Sequence, residues 1–452
     1  MRKFIFDHAL LPSGWAKNVA VDVDGGRLRV VQSESPSDGR ERIAGVALPG
    51  LPNLHSHTFQ RGMAGLAETR GPASDSFWTW RQVMYRFLGN LTPEDVEAVA
   101  AYAMMEMLEG GFTALAEFHY LHHDGDGRPY TDPAELAGRI VAAAAETGMG
   151  LTLLPVFYAQ GGFGGAAPNE GQRRFVSDIP LYERLLDGAR KAAASLDDAV
   201  VGIAPHSLRA VTPESLADLV ALAGEGPIHI HVAEQMKEVE DCIAWSGQRP
   251  VAWLLDHVAV DARWCLIHAT HLDSSETRGI AASGAVAGLC PITEANLGDG
   301  IFEGVEFQAA GGMFGVGSDS NIEISAPGEL KQFEYSQRLK HRGRNLLAPG
   351  EGQSTGRSLY EAALAGGARA LGRRIGAIEA GARADFVVLD PSHPDLAARS
   401  GDRWLDAYVF VAGRSAIDTV IVAGRPLVAK GRHRNRDAIL ARYSASMSRI
   451  LA

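Results

Sequence analysis

Cysteine is scarce in this chain: three residues, Cys242, Cys265 and Cys290, among 452. An odd number without CxxC spacing argues against a disulfide framework, and the three read as small buried apolar residues. Long apolar runs are also missing. No stretch of about 18 uninterrupted apolar residues occurs, which excludes a membrane-spanning helix. The first residues, MRKFIFDHALLPSGW, are interrupted at Asp7, His8 and Pro12, too early for a secretory apolar segment. Cytoplasm is therefore the expected location. Basic blocks are absent too: 43 Lys and Arg stand against 54 Asp and Glu, a net charge of -11. An electrostatic nucleic-acid surface is not expected, and the expected partner is a small molecule. Low-complexity and coiled-coil segments are lacking as well.

What is present is enough apolar material, 46% of the residues, for a large core. One α/β barrel can absorb about 250 residues or more, so a single large domain with a small companion fits the length. From about residue 47 a unit repeats: a short β-rich run ending in His, Asp or Glu, then an Ala/Leu-rich stretch. The runs end near His57, or lie at 112–120, 150–158, 199–206, 227–234, 264–270, 284–292 and 312–320. Apolar runs without alternation suit parallel strands buried on both faces. The stretches between them, such as PEDVEAVAAYAMMEMLEGG, carry helical periodicity, an acidic first turn and a terminal Gly. Eight such units predict a TIM-type (β/α)8 barrel over 47–375. The long connections 59–92 and 161–175 are expected at its mouth, where such loops cover a site. Residues 1–46 and 376–452 differ: short alternating runs punctuated by Gly, such as NVAVDV and DTVIVAGRPLVAKG, predict a small β-sandwich built from both termini.

The chemistry concentrates at strand ends. His55 and His57 form an HxH pair at the end of the first predicted strand, where residues two apart project from one face. His231, His268 and Asp319 end the fifth, sixth and eighth strands, and a barrel brings those ends to one face. Imidazole and carboxylate without thiolate suit Zn²⁺, and also Fe²⁺ or Mn²⁺; three His and one Asp leave room for water. His229, two residues deeper than His231, reads as a packed core residue. His119, His122, His123 and His271 lie near the mouth without a ligand-like partner.

The order HSH, then His231-Val-Ala-Glu234, then His268 and Asp319, resembles the amidohydrolase superfamily, and the terminal IGAIEAGARADFVVLD is similar to that superfamily's companion domain. The resemblance implies one divalent metal ion, most simply Zn²⁺, held by His55, His57, His231 and Asp319. The fourth strand ends in Pro205-His206 without the Lys of binuclear members, so a mononuclear site is implied. His231-x-x-Glu234 is similar to the deaminase branch and implies that Glu234 moves a proton between water and the departing nitrogen. His268 or Asp319 is then the base, and His268, Glu234 and Asp319 form the implied catalytic set.

Gln60, Arg81, Tyr120, His206 and Arg209 resemble the substrate-binding residues of those members that act on a linear formimino group carried by glutamate, releasing ammonia in histidine breakdown. The types make physical sense, because a dicarboxylate needs fixed cations and Arg offers a planar fork. For Arg81, packing on Trp78 or Trp80 is an equal alternative. Arg173 and Arg174, in the second long loop, are left without a role. A guanine- or triazine-type aminohydrolase, another amidine or guanidine hydrolase, and a metal-binding paralogue without turnover remain open. Homodimers, common among similar enzymes, are compatible with the chain.

Overall fold

A computed structural model of the chain describes residues 1–37, 39–71 and 74–452. The N-terminal strands β1 (Arg2–Leu11), β2 (Gly14–Asp24), β3 (Arg27–Gln32) and β4 (Glu41–Pro49) come first. The barrel strands follow: β5 (Leu51–Ser56), β6 (Phe112–His119), β7 (Gly150–Phe157), β8 (Val200–Val201), β9 (Ala204–Pro205), β10 (Ile228–Val232), β11 (Trp264–His268), β12 (Val286–Leu289) and β13 (Met313–Val316). Last come β14 (Phe386–Leu389), β15 (Ile417–Val422), β16 (Arg425–Ala429) and β17 (Arg432–His433).

Strands β5 to β8 pair in parallel, as do β10 to β13. Among the described residues three bridges join these halves into a ring: Ile203 with Ile228, Ser207 with His231, and Ser56 with Asp319. The architecture is the expected parallel barrel. Every residue of β6, β7, β10, β11 and β12 is buried, as unbroken apolar runs require. The fourth run, 199–206, forms two short pieces instead of one strand. Both pair with β7, while Ile203 between them turns to the next strand, so this position switches partners midway. Helix Pro93–Glu109 shows how the connections are punctuated. Thr92 and Asp95 cap each other across its first turn, with Pro93 just inside. Helix Glu135–Thr147 stops at Gly148, whose φ of 79° lets the chain turn into β7.

The terminal strands form one mixed sheet in the order β17-β16-β15-β14-β4-β1-β2-β3. Its edge β3 is tied to the segment leading into β14 by Gly381 N–H to Leu28 O (2.7 Å) and Leu28 N–H to Ala382 O (2.9 Å). The sheet thereby closes over its own apolar layer, in which the Phe6 and Phe386 rings lie 4.7 Å apart. Strand β4 pairs with β14 as far as Pro49, so the sheet continues to the start of β5. The last helix, Arg436–Ile450, leaves the sheet. Its Ile439 and Ile450 belong to the barrel's hydrophobic cluster, and Tyr443 stacks on Tyr102 of helix Pro93–Glu109 at 4.0 Å.

Among the described residues no helix is long and apolar enough to cross a membrane. The three cysteines are buried and free. Of the two long connections, 59–92 contains residues 72 and 73, which lie outside the described residues. Around them it forms a 3-10 turn, Thr58–Met63, and a helix, Phe77–Leu88.

Candidate active site

The C-terminal ends of β5, β10 and β11 and the segment after β13 converge on one point. His55 Nε2 lies 3.1 Å from His231 Nε2, and Asp319 Oδ1 lies 3.3 Å from both His55 Nε2 and His57 Nε2. Two donors held tetrahedrally by one Zn²⁺ at roughly 2.05 Å sit about 3.3 Å apart, so these separations fit one ion. The donor chemistry fits as well. His57 Nδ1–H donates to Phe118 O (2.9 Å) and His231 Nδ1–H donates to His206 O (3.0 Å), which leaves each Nε2 a free lone pair. Burial first, then neighbouring imidazoles, hold His231 well below its ordinary value and therefore neutral. Burial also lowers His55, to about 3, against the pull of Asp319. Neutral imidazoles and an ionised carboxylate are the states a divalent cation selects.

His268 joins this cluster. Its Nε2 is 3.9 Å from Asp319 Oδ2 and 3.7 Å from Glu234 Oε1. Burial pulls its proton affinity down, but the carboxylates of Glu234, Glu294 and Asp319 outweigh that and raise it to about 10. Glu234 is lifted as well, to about 7, by burial. A carboxyl that exchanges its proton near neutrality and an imidazole that its carboxylate neighbours keep protonated thus stand side by side. Ala233, His268 and Asp319 adopt φ of 52°, 67° and 43°, a left-handed backbone that costs about 1–3 kcal/mol per residue and concentrates at functional sites.

Two strand ends with no sequence proximity are locked together beneath the cluster. Asn53 donates to Ser318 Oγ (2.7 Å) and accepts from Ser318 N–H (3.1 Å), while Asn321 donates to Ser56 Oγ (3.0 Å) and His57 O (3.1 Å). Between them Gly317 packs against β5: a Cβ there would sit 2.6 Å from His55 O. Gly317→Ala is expected to push β13 off β5, lower thermal stability by about 1–3 kcal/mol and reduce bound metal. Metal analysis beside a melting curve checks this, and a variant with full metal and unchanged Tm would refute the account.

Above the cluster is a cleft with about 560 Å³ of empty space, closed on one side by helix Phe77–Leu88 and by Phe175. Gln60, Arg81, Tyr120, His206 and Arg209 all line it. Gln60 Nε2 donates to Tyr120 Oη at 2.8 Å, and its buried Oε1 has no partner. The guanidinium carbons of Arg81 and Arg209 lie 4.9 Å and 5.7 Å from the Trp78 ring, so one indole orders both cations. For Arg81 the two alternatives, stacking and facing the cleft, coexist. Both Nε atoms are buried without a hydrogen-bond acceptor. Arg173 pairs with Glu170 and Gly125 O. Arg174 is buried and donates to the carbonyls of His123, Leu88 and Leu91. Neither lines the cleft. His229 donates to Ala370 O (2.7 Å) in the core.

Several residues escape sequence reasoning. Glu238 accepts the N–H groups of Ala233 (3.0 Å) and Glu234 (3.3 Å) and lies 3.9 Å from Arg209 Nε, so it holds the turn that carries Glu234. Glu294 accepts from His268 Nδ1 at 3.2 Å and from Cys290 N–H at 2.8 Å, which aims His268 Nε2 at the cluster. Tyr85 and Tyr158 line the cleft beside the two arginines.

The pattern of the amidohydrolase family matches residues 46–427. The chain belongs to the amidohydrolase family. This amidohydrolase is 52% identical over 435 residues, 96% of each chain, to formimidoylglutamate deiminase of Pseudomonas aeruginosa. Its structure matches the crystal structure of an amidohydrolase from Brucella melitensis with a TM-score of 0.97 and 54% identity, covering 100% of both chains. A zinc-bound adenosine deaminase from Xanthomonas campestris shares the fold, with a TM-score of 0.81, 23% identity and 99% and 98% coverage.

Proposed function

We propose that this amidohydrolase hydrolyses N-formimino-L-glutamate to N-formyl-L-glutamate and ammonia, a step of histidine degradation, using a single divalent ion. Zn²⁺ is the ion that three imidazoles and one carboxylate without thiolate favour, and His55, His57, His231 and Asp319 would hold it. The observation that carries the substrate assignment is the pair Arg81 and Arg209, which line the cleft and stack on Trp78 at 4.9 Å and 5.7 Å. Two fixed forks side by side answer a carboxylate of a glutamate derivative, whereas a neutral heterocycle leaves such cations unmatched. The 52% identity to a formimidoylglutamate deiminase supports the same reading.

When bound, the ion supplies Lewis acidity that makes water nucleophilic near neutral pH. The chain's own groups do the rest. Arg81 and Arg209 together hold a substrate carboxylate and thereby set the formimino carbon over the cluster, an orientation effect worth several kcal/mol. Gln60, Tyr120 and His206 present polar groups along the substrate. With the charge of a bound dication offsetting the carboxylates around it, His268, 3.7 Å from Glu234 and 3.9 Å from Asp319, is freed to take or orient the proton of the attacking water, which Asp319 could share. Both hydrogens of the water end on the imino nitrogen, delivered through Glu234, so that the C–N bond breaks to release ammonia and the oxygen stays as the formyl carbonyl. That acid and base stand beside the cluster favours turnover over mere binding.

The test is ammonia release from N-formimino-L-glutamate, guanine and a triazine, with metal content measured in parallel. Release from formiminoglutamate alone is the expected result, and release from a heterocycle instead would overturn it. Arg209→Ala is expected to lose about a hundredfold to a thousandfold in kcat/KM while keeping its zinc, the cost of deleting one partner of a buried charged contact. An unchanged kcat/KM would remove Arg209 from substrate binding.

A further inference from the structure

We infer that Tyr158 is a third donor to the carboxylate gripped by Arg81 and Arg209, and that Gln172 of the Gly-rich loop is the positioning residue that aims it; the inference rests on the proposed dicarboxylate substrate. Tyr158 lies just past β7, lines the cleft and is 5% exposed, with its ring 4.7 Å from that of His206. Its hydroxyl oxygen accepts a hydrogen bond from Gln172 Nε2 at 2.5 Å. The orientation of that amide is set independently, because Gln172 Oε1 accepts the N–H of Asn169 at 2.8 Å and only Nε2 is left to face Tyr158. The hydroxyl therefore has its own hydrogen to donate, and no acceptor lies within hydrogen-bonding distance of it among the described residues.

What surrounds that hydrogen is cationic. Arg209 and Arg81 line the same cleft; neither Nε makes a hydrogen bond, although Glu238 Oε2 lies 3.9 Å from that of Arg209. Two cations and a hydroxyl with a free hydrogen lining one cleft form a slot for an anion, and the neutral third member adds direction that two cations alone lack. The loop holding Gln172 is itself anchored. Gly171 packs on Tyr85 of helix Phe77–Leu88, where a Cβ would come within 2.3 Å of the ring. The conformation of residues 169–172 is thereby passed to the carboxylate slot through one amide.

Tyr158→Phe removes the hydroxyl, and with it both the free hydrogen and the bond accepted from Gln172, while the ring stays; melting and metal analysis check that the variant is folded and loaded. For N-formimino-L-glutamate we expect KM to rise about tenfold or more with kcat within about threefold, the range for one hydrogen bond to a charged group. The N-formimino derivatives of 4-aminobutyrate and L-2-aminobutyrate each lack one carboxylate. For the derivative missing the carboxylate in this slot, wild type and variant are expected to share one KM. Gln172→Ala is expected to reproduce the KM effect at smaller size, because Tyr158 keeps its hydroxyl but loses its aim. An unchanged KM for formiminoglutamate, or an equal rise for all three compounds, overturns the inference. Calorimetric binding of N-formyl-L-glutamate gives a readout without turnover. Binding about tenfold weaker in Tyr158→Phe supports the donor even if wild type releases no ammonia, in which case only the proposed function falls. Equal binding, or none to wild type, overturns the donor itself.

Discussion

Replacing His55 with Ala is expected to abolish metal binding and ammonia release together, with activity at least about a thousandfold below wild type, equivalent to about 4 kcal/mol or more of lost transition-state stabilisation. The reason is position. His55 Nε2 approaches both His231 Nε2 (3.1 Å) and Asp319 Oδ1 (3.3 Å), so its removal takes away the centre of the cluster. The remaining groups are left as buried imidazoles and a buried carboxylate with a gap between them. Asp319→Asn tests the same point by a different route, since it preserves shape but removes the charge that offsets a dication. Both variants are to be compared with wild type for metal per chain, for steady-state turnover and for circular dichroism. A His55→Ala protein that retains one equivalent of zinc and normal turnover, or a metal-stripped wild type with full activity, would end the metal-dependent reading.

Glu234→Gln is expected to give the opposite pairing: metal content unchanged, kcat lower by about a hundredfold to ten-thousandfold, the usual range for a lost general acid–base. Glu234 stands outside the His55–His57–Asp319 contacts, and its nearest functional neighbour is His268 Nε2 at 3.7 Å. Burial lifts its carboxyl to about 7, so it can hold and release a proton at the pH of the reaction. Glutamine keeps the volume and the polarity but has no proton to give. Glu238 keeps the turn in place, because its two bonds go to the backbone N–H groups of Ala233 and Glu234 and do not involve the substituted side chain. A fall in kcat with zinc retained therefore isolates proton transfer from geometry. Turnover within a factor of a few of wild type would take the proton role away from Glu234.

Much of the fold was legible without coordinates. The eight apolar runs lie where the barrel strands are, because a strand buried on both faces has no room for polar alternation and so stands out from its helical neighbours. The exceptions are instructive. The run at 199–206 reads as one strand, yet Ile203 leaves β7 for Ile228, a change of partner that no periodicity records. The final helix reads as part of the terminal domain by proximity in sequence, while its buried isoleucines and Tyr443 face the barrel.

At the site, the sequence by itself determined which residues come together and the face on which they meet. His55, His57, His231, His268 and Asp319 lie at or just beyond the ends of parallel strands, and parallel strands in a ring present their ends at one rim. Tertiary structure alone decided the rest. That one indole orders both Arg81 and Arg209, that Glu294 aims His268, and that Asn53 bonds Ser318 across 265 positions are facts of distance in space. A sequence records chemistry and local period. Contacts between residues far apart in the chain exist only after the ring has closed and brought their strands side by side.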